Sequence, residues 1–142
     1  AMIGFHGGHT KAHVYRAILE GIAFALREGR NKIEKRMGSR LSRLRCSGGG
    51  SQSDTVMQIT ADIFNLPVDR PHTYETSGLG AAICGAVGIG DFDSYRSAIN
   101  AMTHSNETFL PQSSHVKTYE HLYGKVYEKL YPSLKPLYHE LM

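Results

Sequence analysis

The stretch LRCSGGGSQSD, residues 44–54, decides the fold. A short apolar run ends in three consecutive glycines, and residues that favour the start of a helix follow at once. Glycine has no Cβ, so the backbone can turn sharply at these positions and approach a ligand closely. The unpaired N–H groups of the next helix would favour an anion. We therefore predict a strand, a phosphate-binding turn and a helix in this order.

A plain structural turn is the alternative, since glycines often follow a strand. The residues after the turn favour ligand binding. Ser51 and Asp54 have the spacing of a capping-box variant, and Val56, Ile59 and Ile63 recur with helical spacing. The run is not a P-loop, because no lysine followed by Ser or Thr closes it, and it lacks the G-x-G-x-x-G spacing of a dinucleotide site.

The composition predicts one ordinary globular domain. The 142 residues are 41% hydrophobic and 20% charged, and the formal net charge of +3 is low for a nucleic-acid-binding protein. Cys46 and Cys84 lack the spacing of a zinc site or a disulfide framework. No apolar run of about 18 residues and no signal-peptide layout occurs. We expect a soluble, cytoplasmic protein with no metal site and with no nucleic-acid or membrane partner.

Hydrophobic spacing predicts the elements around the glycine turn. A helix should run from Thr10 to about Arg27 and be largely buried, because apolar residues line two neighbouring faces. Gly29 is a plausible stop, and a helical continuation into part of the polar segment 30–40 is left open. A strand, a helix and a strand should follow at 41–46, 54–64 and 66–70. The spacing of strand, helix and strand implies that the two strands are parallel, and a right-handed crossover would place the helix on one face of the sheet. It would also put the glycine turn at the carboxyl edge of the sheet, where α/β sheets commonly bind ligands.

The second half of the chain is predicted to be helical. A helix at 76–87 is rich in small residues, which indicates close approach by a backbone or a ligand. A short helix follows at 94–103. From His115 onward, apolar residues up to Leu141 recur at three- and four-residue spacing. This spacing predicts one long helix, broken near Pro132.

Other polar residues are expected to have structural roles. His6, His9 and His13 invite a metal interpretation, but no carboxylate or cysteine lies nearby to complete a site, so a loop and a helix cap are favoured. Asp62 is expected to serve a cap or a turn, with a place behind a bound nucleotide as the alternative. Glu20 lies among apolar neighbours and therefore needs a partner.

Four segments resemble, in order, the C-terminal part of the FGGY family of carbohydrate kinases. They are HVYRAILEGIAF at 13–24, GGGSQS at 48–53, ADIFNLPV at 61–68 and ETSGLGAA at 75–82. The tail at 119–136 is similar to the family's closing helix. The resemblance covers nearly the whole chain. It implies the actin-like, ribonuclease-H-like ATPase fold: a helix-rich α/β fragment with a small sheet of parallel strands packed by helices.

The resemblance also implies site residues. Residues 1–142 would be the C-terminal portion of the second, nucleotide-binding domain, with the first domain and the start of the second absent. Gly48, Gly49 and Gly50 would approach the phosphates and ribose of ATP through their backbone. Gln52 and Ser53 would border the adenosine. The family's catalytic aspartate lies upstream, so no catalytic residue is expected here, and Mg²⁺ would be held mainly by parts outside the chain.

The implied activity is ATP-dependent phosphorylation of a small sugar. A pentulose such as xylulose is favoured by the GGGSQS form of the turn, and other ketoses or polyols are left open. The chain alone should be inactive, because phosphoryl transfer needs positioning, Mg²⁺ and a base together. A non-catalytic nucleotide-binding module and a structural α/β domain are the alternatives. A homo-oligomer is left open, and the fragment is expected to expose an apolar face that normally meets the rest of its domain.

Overall fold

A computed structural model describes residues 1–140, so Leu141, the last residue of the predicted apolar series, lies outside the described residues. The elements, in chain order, are α1 Lys11–Met37, β1 Leu44–Arg45, α2 Asp54–Phe64, β2 Val68–Pro71, α3 Thr76–Gly88, α4 Tyr95–Met102, β3 Ser105–Phe109, α5 Ser113–Leu122 and α6 Glu128–His139. A short 3₁₀ turn at 49–52 precedes α2, and a π-helical segment at 123–127 joins α5 to α6.

The chain forms two compact units. We call them the helical unit, which comprises residues 1–40, 62–65 and 111 onward, and the sheet unit, which comprises residues 41–61 and 66–110. The sheet unit contains all three strands, the glycine turn, α3 and α4. The helical unit contains α1, α5 and α6.

The sheet has the order β1-β2-β3. Strands β1 and β2 are parallel, with Leu44 opposite Val68, which confirms the predicted pair. Strand β3 runs antiparallel to β2 and was missing from the prediction, so the sheet is mixed and not purely parallel. The sequence of β3 is SNETF, in which the first four residues are exposed and Phe109 is partly buried. An edge strand with so few apolar residues has no alternating pattern that would predict it.

The core of the sheet unit lies between α2 and the sheet. Met57 and Ala61 of α2 and Val68 of β2 are buried together, and Leu44 and Phe109 pack against them. The apolar spacing of α2 therefore has the expected role, and the helix has the bounds that the sequence predicts. This packing fixes the positions of β1 and α2, and therefore the two ends of the glycine turn between them.

In the helical unit, Phe24 of α1 packs against three tyrosines. Its ring centroid lies 6.0 Å from that of Tyr119, 5.7 Å from that of Tyr123 and 5.2 Å from that of Tyr127. Aromatic pairs at these distances add to the gain from burying their apolar area. Tyr119, Tyr123 and Tyr127 therefore pack inside their own unit, whereas Tyr131 and Tyr138 of the tail are exposed.

Arg27 of α1 is a buried cation beside the same aromatic cluster. Its guanidinium donates to the carbonyl of Ile63 at 2.8 Å and to Glu120 at 2.7 Å, and it lies 4.2 Å from the ring centroid of Tyr123. The carbonyls in the last turn of a helix lack partners within that helix. Arg27 satisfies one of them at the end of α2 and so joins α1 to that end.

Two predictions about α1 are wrong. The helix does not stop at Gly29 but continues to Met37, so the continuation that the sequence left open is the one observed, and Gly38 takes a left-handed φ of 68° and ends the helix. The polar segment after Gly29 stays helical with the support of i,i+4 ion pairs such as Lys32 with Glu28 at 2.6 Å. The helix is also not largely buried, since among its residues only Ala23, Phe24 and Arg27 are buried.

The predicted break near Pro132 is wrong as well. Helix α6 contains both Pro132 and Pro136. The irregularity of the tail lies earlier, in the π-helical segment Tyr123–Tyr127. A π-helical segment interrupts the regular i→i−4 hydrogen bonds of an α-helix, as a proline can.

Candidate functional site

The glycine turn has a backbone that requires glycine at its first position. Gly48 has a φ of 88° and a ψ of −178°, a combination that is essentially restricted to glycine. The Gly48 carbonyl accepts two hydrogen bonds from Ser51, one from its N–H at 3.0 Å and one from its Oγ at 2.7 Å. Ser51 is 4% exposed. These contacts close the turn tightly.

Two further contacts hold the glycine turn against the start of α3. The N–H of Gly48 donates to the carbonyl of Tyr74 at 3.2 Å. The hydroxyls of Ser47 and Thr76 lie 3.1 Å apart and form a hydrogen bond. The turn follows the carboxyl end of β1, and the segment with Tyr74 follows the carboxyl end of the parallel strand β2. The site is therefore at the sheet edge that the sequence predicts.

The surface above the glycines is open. A Cβ placed on Gly48 or Gly49 would meet no atom within 4 Å, and one placed on Gly50 would meet only Val56 Cγ1 at 4.0 Å. The φ values of Gly49 and Gly50 are not positive. The folded chain itself therefore does not require glycine at these two positions. The missing side chains leave room for another molecule to lie against the backbone.

The other two predicted contact residues follow in the same turn. Gln52 ends the 3₁₀ segment, and Ser53 links it to α2. Both are exposed, whereas Ser51 between them and the glycines is buried. The structure thus brings Gly48, Gly49, Gly50, Gln52 and Ser53 into one continuous turn whose glycines and last two residues face outward.

The expected capping role of Ser51 is wrong. Its hydroxyl points into the turn and bonds to Gly48, because the chain first winds through the 3₁₀ turn. Ser53 is the residue before α2, and its Oγ is 3.5 Å from the N–H of Val56. Asp54 opens α2 and pairs with Arg70 at 2.6 Å. A carboxylate in the first turn also favours the helix.

Sequence reasoning missed the residues that support the turn. Ser47, Tyr74 and Thr76 hold it, but their roles depend on the pairing of β1 with β2, which brings distant segments together. The short segment between β2 and α3 could have indicated these contacts, since β1 and β2 are parallel and both end at the sheet edge where the turn lies. Cys46, just before the turn, packs against the core, and burial raises the pKa of its thiol.

Helix α3 presents its small residues to the outside. Among its residues only Ile83 is buried, and a Cβ on Gly78, Gly80 or Gly85 would meet nothing within 4 Å. No backbone among residues 1–140 therefore comes close to these glycines. The approach of a ligand to this helix stays a prediction.

Asp62 has the structural role that the sequence favours. Its carboxylate is buried, accepts a hydrogen bond from the N–H of Gln112 at 2.8 Å and lies 2.8 Å from Nδ1 of His115. Gln112 is the residue before α5. Asp62 therefore anchors the start of α5, which confirms its predicted role in a cap or turn.

Glu20 has the partners that its apolar surroundings demand. It accepts a hydrogen bond from Nε of Arg16 at 2.7 Å and another from the hydroxyl of Tyr119 at 2.7 Å. Burial, together with the bond to Glu20, raises the pKa of Tyr119 to about 12. Arg16 also donates to the Tyr119 hydroxyl at 3.0 Å, and its hydrogen bonds to Tyr119 and Glu20 raise the pKa of Arg16. The three residues form a small network within the helical unit.

The histidines near the amino end form a loop and a helix cap. His13 Nδ1 accepts from the N–H of Thr10 at 3.1 Å, which caps α1, and His9 Nδ1 accepts from the N–H of His6 at 3.1 Å. This confirms the favoured interpretation. Across residues 1–140, no group of three or more His, Cys, Asp or Glu could hold a metal ion. None of the described helices combines the length and apolarity needed to span a lipid bilayer.

Residues 1–89, which include α1, the turn and α3, match the C-terminal domain of the FGGY family of carbohydrate kinases. The chain belongs to this FGGY family. The match begins at the first residue and ends just after α3, so it includes all five predicted nucleotide-contacting residues.

Similar FGGY proteins are known by sequence and by structure. A xylulose kinase of Lactococcus lactis is 36% identical over 100% of this chain and 28% of its own length. The crystal structure of xylulose kinase from Rhodospirillum rubrum is 30% identical, with a TM-score of 0.80 over 98% of this chain and 28% of that one. The crystal structure of Plasmodium falciparum glycerol kinase with ADP is 29% identical, with a TM-score of 0.74 over 91% of this chain and 26% of that one.

These FGGY comparisons establish the fold. The chain has the fold of the C-terminal part of these kinases, which is of the actin-like, ribonuclease-H-like ATPase class. It spans 28% of the length of the xylulose kinase relatives that it matches.

Proposed function

We propose that this chain supplies part of the ATP site of an FGGY kinase that phosphorylates a small sugar. A pentulose such as xylulose is the favoured acceptor, since relatives aligned over the whole chain carry the name xylulose kinase. A polyol such as glycerol is the runner-up, because relatives named glycerol kinase match 80% of the chain. In both cases the γ-phosphoryl group of ATP would move to a hydroxyl of the acceptor.

The geometry of the glycine turn carries this proposal. The backbone conformation requires glycine at Gly48 but not at Gly49 or Gly50. The space that side chains would occupy at Gly49 and Gly50 is open. Their exposure at the carboxyl edge of two parallel strands is typical of ligand sites in α/β sheets. The residues present therefore fit a nucleotide that lies against the backbone.

The proposed contacts divide between backbone and side chains. Gly48, Gly49 and Gly50 would meet the phosphates and ribose through their backbone, and the exposed Gln52 and Ser53 would border the adenosine. The turn itself carries no basic side chain. Mg²⁺, the phosphate-binding cations and the catalytic base would come from parts of the kinase outside this chain, so the chain alone should not catalyse transfer.

A titration of the 142-residue chain with Mg-ADP tests the nucleotide site. Amide-resolved NMR should show saturable shifts confined to Gly48, Gly49, Gly50 and Ser53. Gly49→Val should weaken binding at least tenfold with little change elsewhere, because its side chain would fill the open space. Gly29→Ala is the control, since its Cβ also meets nothing but lies in α1. No shifts at millimolar Mg-ADP in a folded sample would contradict the proposed site.

A chimera tests whether this chain can complete a sugar kinase. This chain would replace the matching 143 residues of the L. lactis xylulose kinase. Phosphorylation of xylulose in clear preference to glycerol is the expected result. A folded chimera that binds Mg-ADP without phosphorylating either acceptor would favour a non-catalytic nucleotide-binding module instead.

A further inference from the structure

His72 and His104 stack on each other beside the sheet. Their ring centroids lie 4.0 Å apart, and the two ring planes differ by 14°. The N–H of His72 donates to the carbonyl of His104 at 3.1 Å, and Nδ1 of His72 is 3.2 Å from the same carbonyl oxygen. We call these two residues the histidine pair. Both side chains are exposed, so protons from the solvent reach them.

The histidine pair joins the chain just after β2 to the chain just before β3. Pro71, the last residue of β2, has no N–H to donate, and the register of the two strands shifts between Arg70 and Pro71. The hydrogen bond from His72 to His104 restores the connection beyond this irregularity. The pair therefore fixes the point at which the chain leaves the sheet.

The segment that follows His72 holds the glycine turn. Tyr74, two residues later, accepts a hydrogen bond from the N–H of Gly48 at 3.2 Å. Two residues of extended chain span at most about 7 Å. A displacement of His72 is therefore passed to Tyr74 and to the backbone of Gly48. All these residues lie in the sheet unit.

Protonation gives the histidine pair a way to open. Histidine is the side chain whose charge ordinarily changes between pH 5 and pH 8, and the sheet unit contains no histidine besides the pair. A first proton fits, because a protonated Nδ1 of His72 can donate to the carbonyl of His104. A second proton puts two cations face to face at 4.0 Å, where like charges repel. Once apart, the rings take up protons independently, so the open form binds more protons and acid favours it.

Charges on the neighbouring elements do not neutralise the pair. They are Arg45 of β1, Arg70 of β2, Glu75 before α3, Arg96 of α4 and Glu107 of β3. Glu107 is paired with Arg70 at 3.0 Å, and Arg45 lies 3.4 Å from the hydroxyl of Ser105, next to His104. Among residues 1–140, the contacts of the two rings include no carboxylate. Repulsion in the doubly protonated pair is therefore not offset by a fixed anion.

We infer that the histidine pair positions the nucleotide-binding turn and that acid loosens this turn by parting the two rings. The inference deepens the proposed function and rests on it for nucleotide affinity, whereas the effect on the turn itself needs no nucleotide. His72 and His104 are positioning residues, since they act on Gly48 through Tyr74.

Amide hydrogen exchange of the 142-residue chain, measured by NMR without nucleotide, tests the effect on the turn. Protection is the exchange rate relative to an unprotected amide at the same pH, so the direct effect of pH is removed. From pH 7.5 to pH 5.5, protection of the Gly48 and His72 amides should fall at least fivefold. The amide of Cys46, which donates to the carbonyl of Asp69 in the same sheet at 3.0 Å, should change less than twofold.

Two variants prevent double protonation in different ways. His104→Phe keeps a ring that can stack on His72 but cannot be protonated, and His72→Asn keeps an acceptor for the N–H of His104. Both should lose most of the pH response of Gly48. His121→Phe is the matched control, because it makes the same change at an exposed histidine of α5 in the helical unit. It should respond to pH as the unchanged chain does.

Three exchange results would overturn the inference. They are protection of Gly48 that does not depend on pH, an equal loss of protection at Cys46, and a loss at Gly48 that persists in both variants. The first would show that the pair does not open, the second that the whole sheet loosens, and the third that other groups cause the response.

Mg-ADP titrations at both pH values test the nucleotide site. From pH 7.5 to pH 5.5, the dissociation constant should rise at least threefold more in the unchanged chain than in His104→Phe. This comparison cancels protonation of the phosphates of ADP. An equal rise in both would overturn the link to nucleotide affinity. An acid-sensitive turn without Mg-ADP binding at pH 7.5 would contradict only the proposed function, and Mg-ADP binding with a turn indifferent to pH would contradict only the histidine pair.

Discussion

Gly48 and Gly49 are neighbours with different reasons to be glycine. Gly48 takes a φ of 88° that other residues adopt only under strain, whereas Gly49 has no positive φ and open space around it. Gly48→Ala should lower the free energy of unfolding by about 1–3 kcal/mol. Gly49→Ala should change it by less than about 0.5 kcal/mol. Urea unfolding of both variants checks this, and equal losses would contradict the distinction.

Tyr119 makes the stability of the helical unit sensitive to high pH. Its hydroxyl donates to Glu20, and its pKa is raised from 10.0 to about 12. A raised folded-state pKa means that the stabilising effect is complete below pH 10 and is lost as the pH rises toward 12. The free energy of unfolding should therefore fall across this window more steeply than in Tyr119→Phe.

The comparison with Tyr119→Phe isolates this effect from the other groups that titrate at high pH. At pH 8 the variant should be less stable by about 1–2 kcal/mol, because it lacks the hydroxyl that donates to Glu20 and accepts from Arg16. The difference should shrink between pH 10 and pH 12. A difference that stays constant over this range, measured by urea unfolding at each pH, would contradict the raised pKa.

Residue roles were predictable where the partner is near in sequence or is demanded by polarity. The cap by His13 lies three residues from Thr10, and the need of Glu20 for a partner follows from its apolar neighbours. The role of Ser51 was not predictable, because its inward hydroxyl depends on the 3₁₀ turn between the glycines and α2. The identity of Glu20's partner, Tyr119, depends on contact with a distant segment.

At the scale of elements, β3 is held to the sheet by a buried carboxylate. Asp69 of β2 is 0% exposed and accepts hydrogen bonds from Thr108 of β3 at 2.7 Å and from Arg43 at 2.9 Å. Thr108→Val should destabilise the sheet unit by about 1–2 kcal/mol, because one carboxylate oxygen loses its donor. Thr108→Ser keeps the hydroxyl and is the control. Equal urea midpoints for Val and Ser would contradict this role.

A helix or strand could be predicted when the residues that determine it are adjacent in the sequence. Helix α2 was predicted with its observed bounds, Asp54–Phe64, because the residues that start it and its apolar spacing both lie within one short segment. Strand β3 was missed, since four of its five residues are exposed and its pairing with β2 is what makes it a strand. In α1, Gly29 suggested a stop, but the left-handed turn that ends the helix is at Gly38.

At the scale of the whole molecule, the apolar pattern of α1 predicted a largely buried helix, and this prediction is wrong for residues 1–140. Phe24 on one face is buried, whereas Ile22 and Leu26 on another face are exposed. Helical spacing shows which residues share a face, but it does not show which faces are covered in the folded chain. The candidate site has the same limit, since the position of the glycine turn was predictable, whereas its contacts with Tyr74 and Thr76 depend on the folded sheet.

The helical unit is assembled from segments that are distant in the chain, and proteolysis can test its cohesion. Residues 38–43 form neither helix nor strand, and Arg40 is exposed, so limited trypsin treatment should cut there. The fragment 1–40 should remain bound after cleavage, because Phe24 packs on Tyr127 and Arg27 bonds to the carbonyl of Ile63. The two fragments should co-elute in size exclusion and separate in urea.

Two variants show which face of α1 keeps the cleaved chain together. Phe24→Ala removes a buried ring and should cost about 3–5 kcal/mol, so the cleaved fragment should be released without urea. Leu26→Ala changes an exposed residue of the same helix and should leave the fragments bound. Release by Leu26→Ala, or retention by Phe24→Ala, would contradict the packing described for the helical unit.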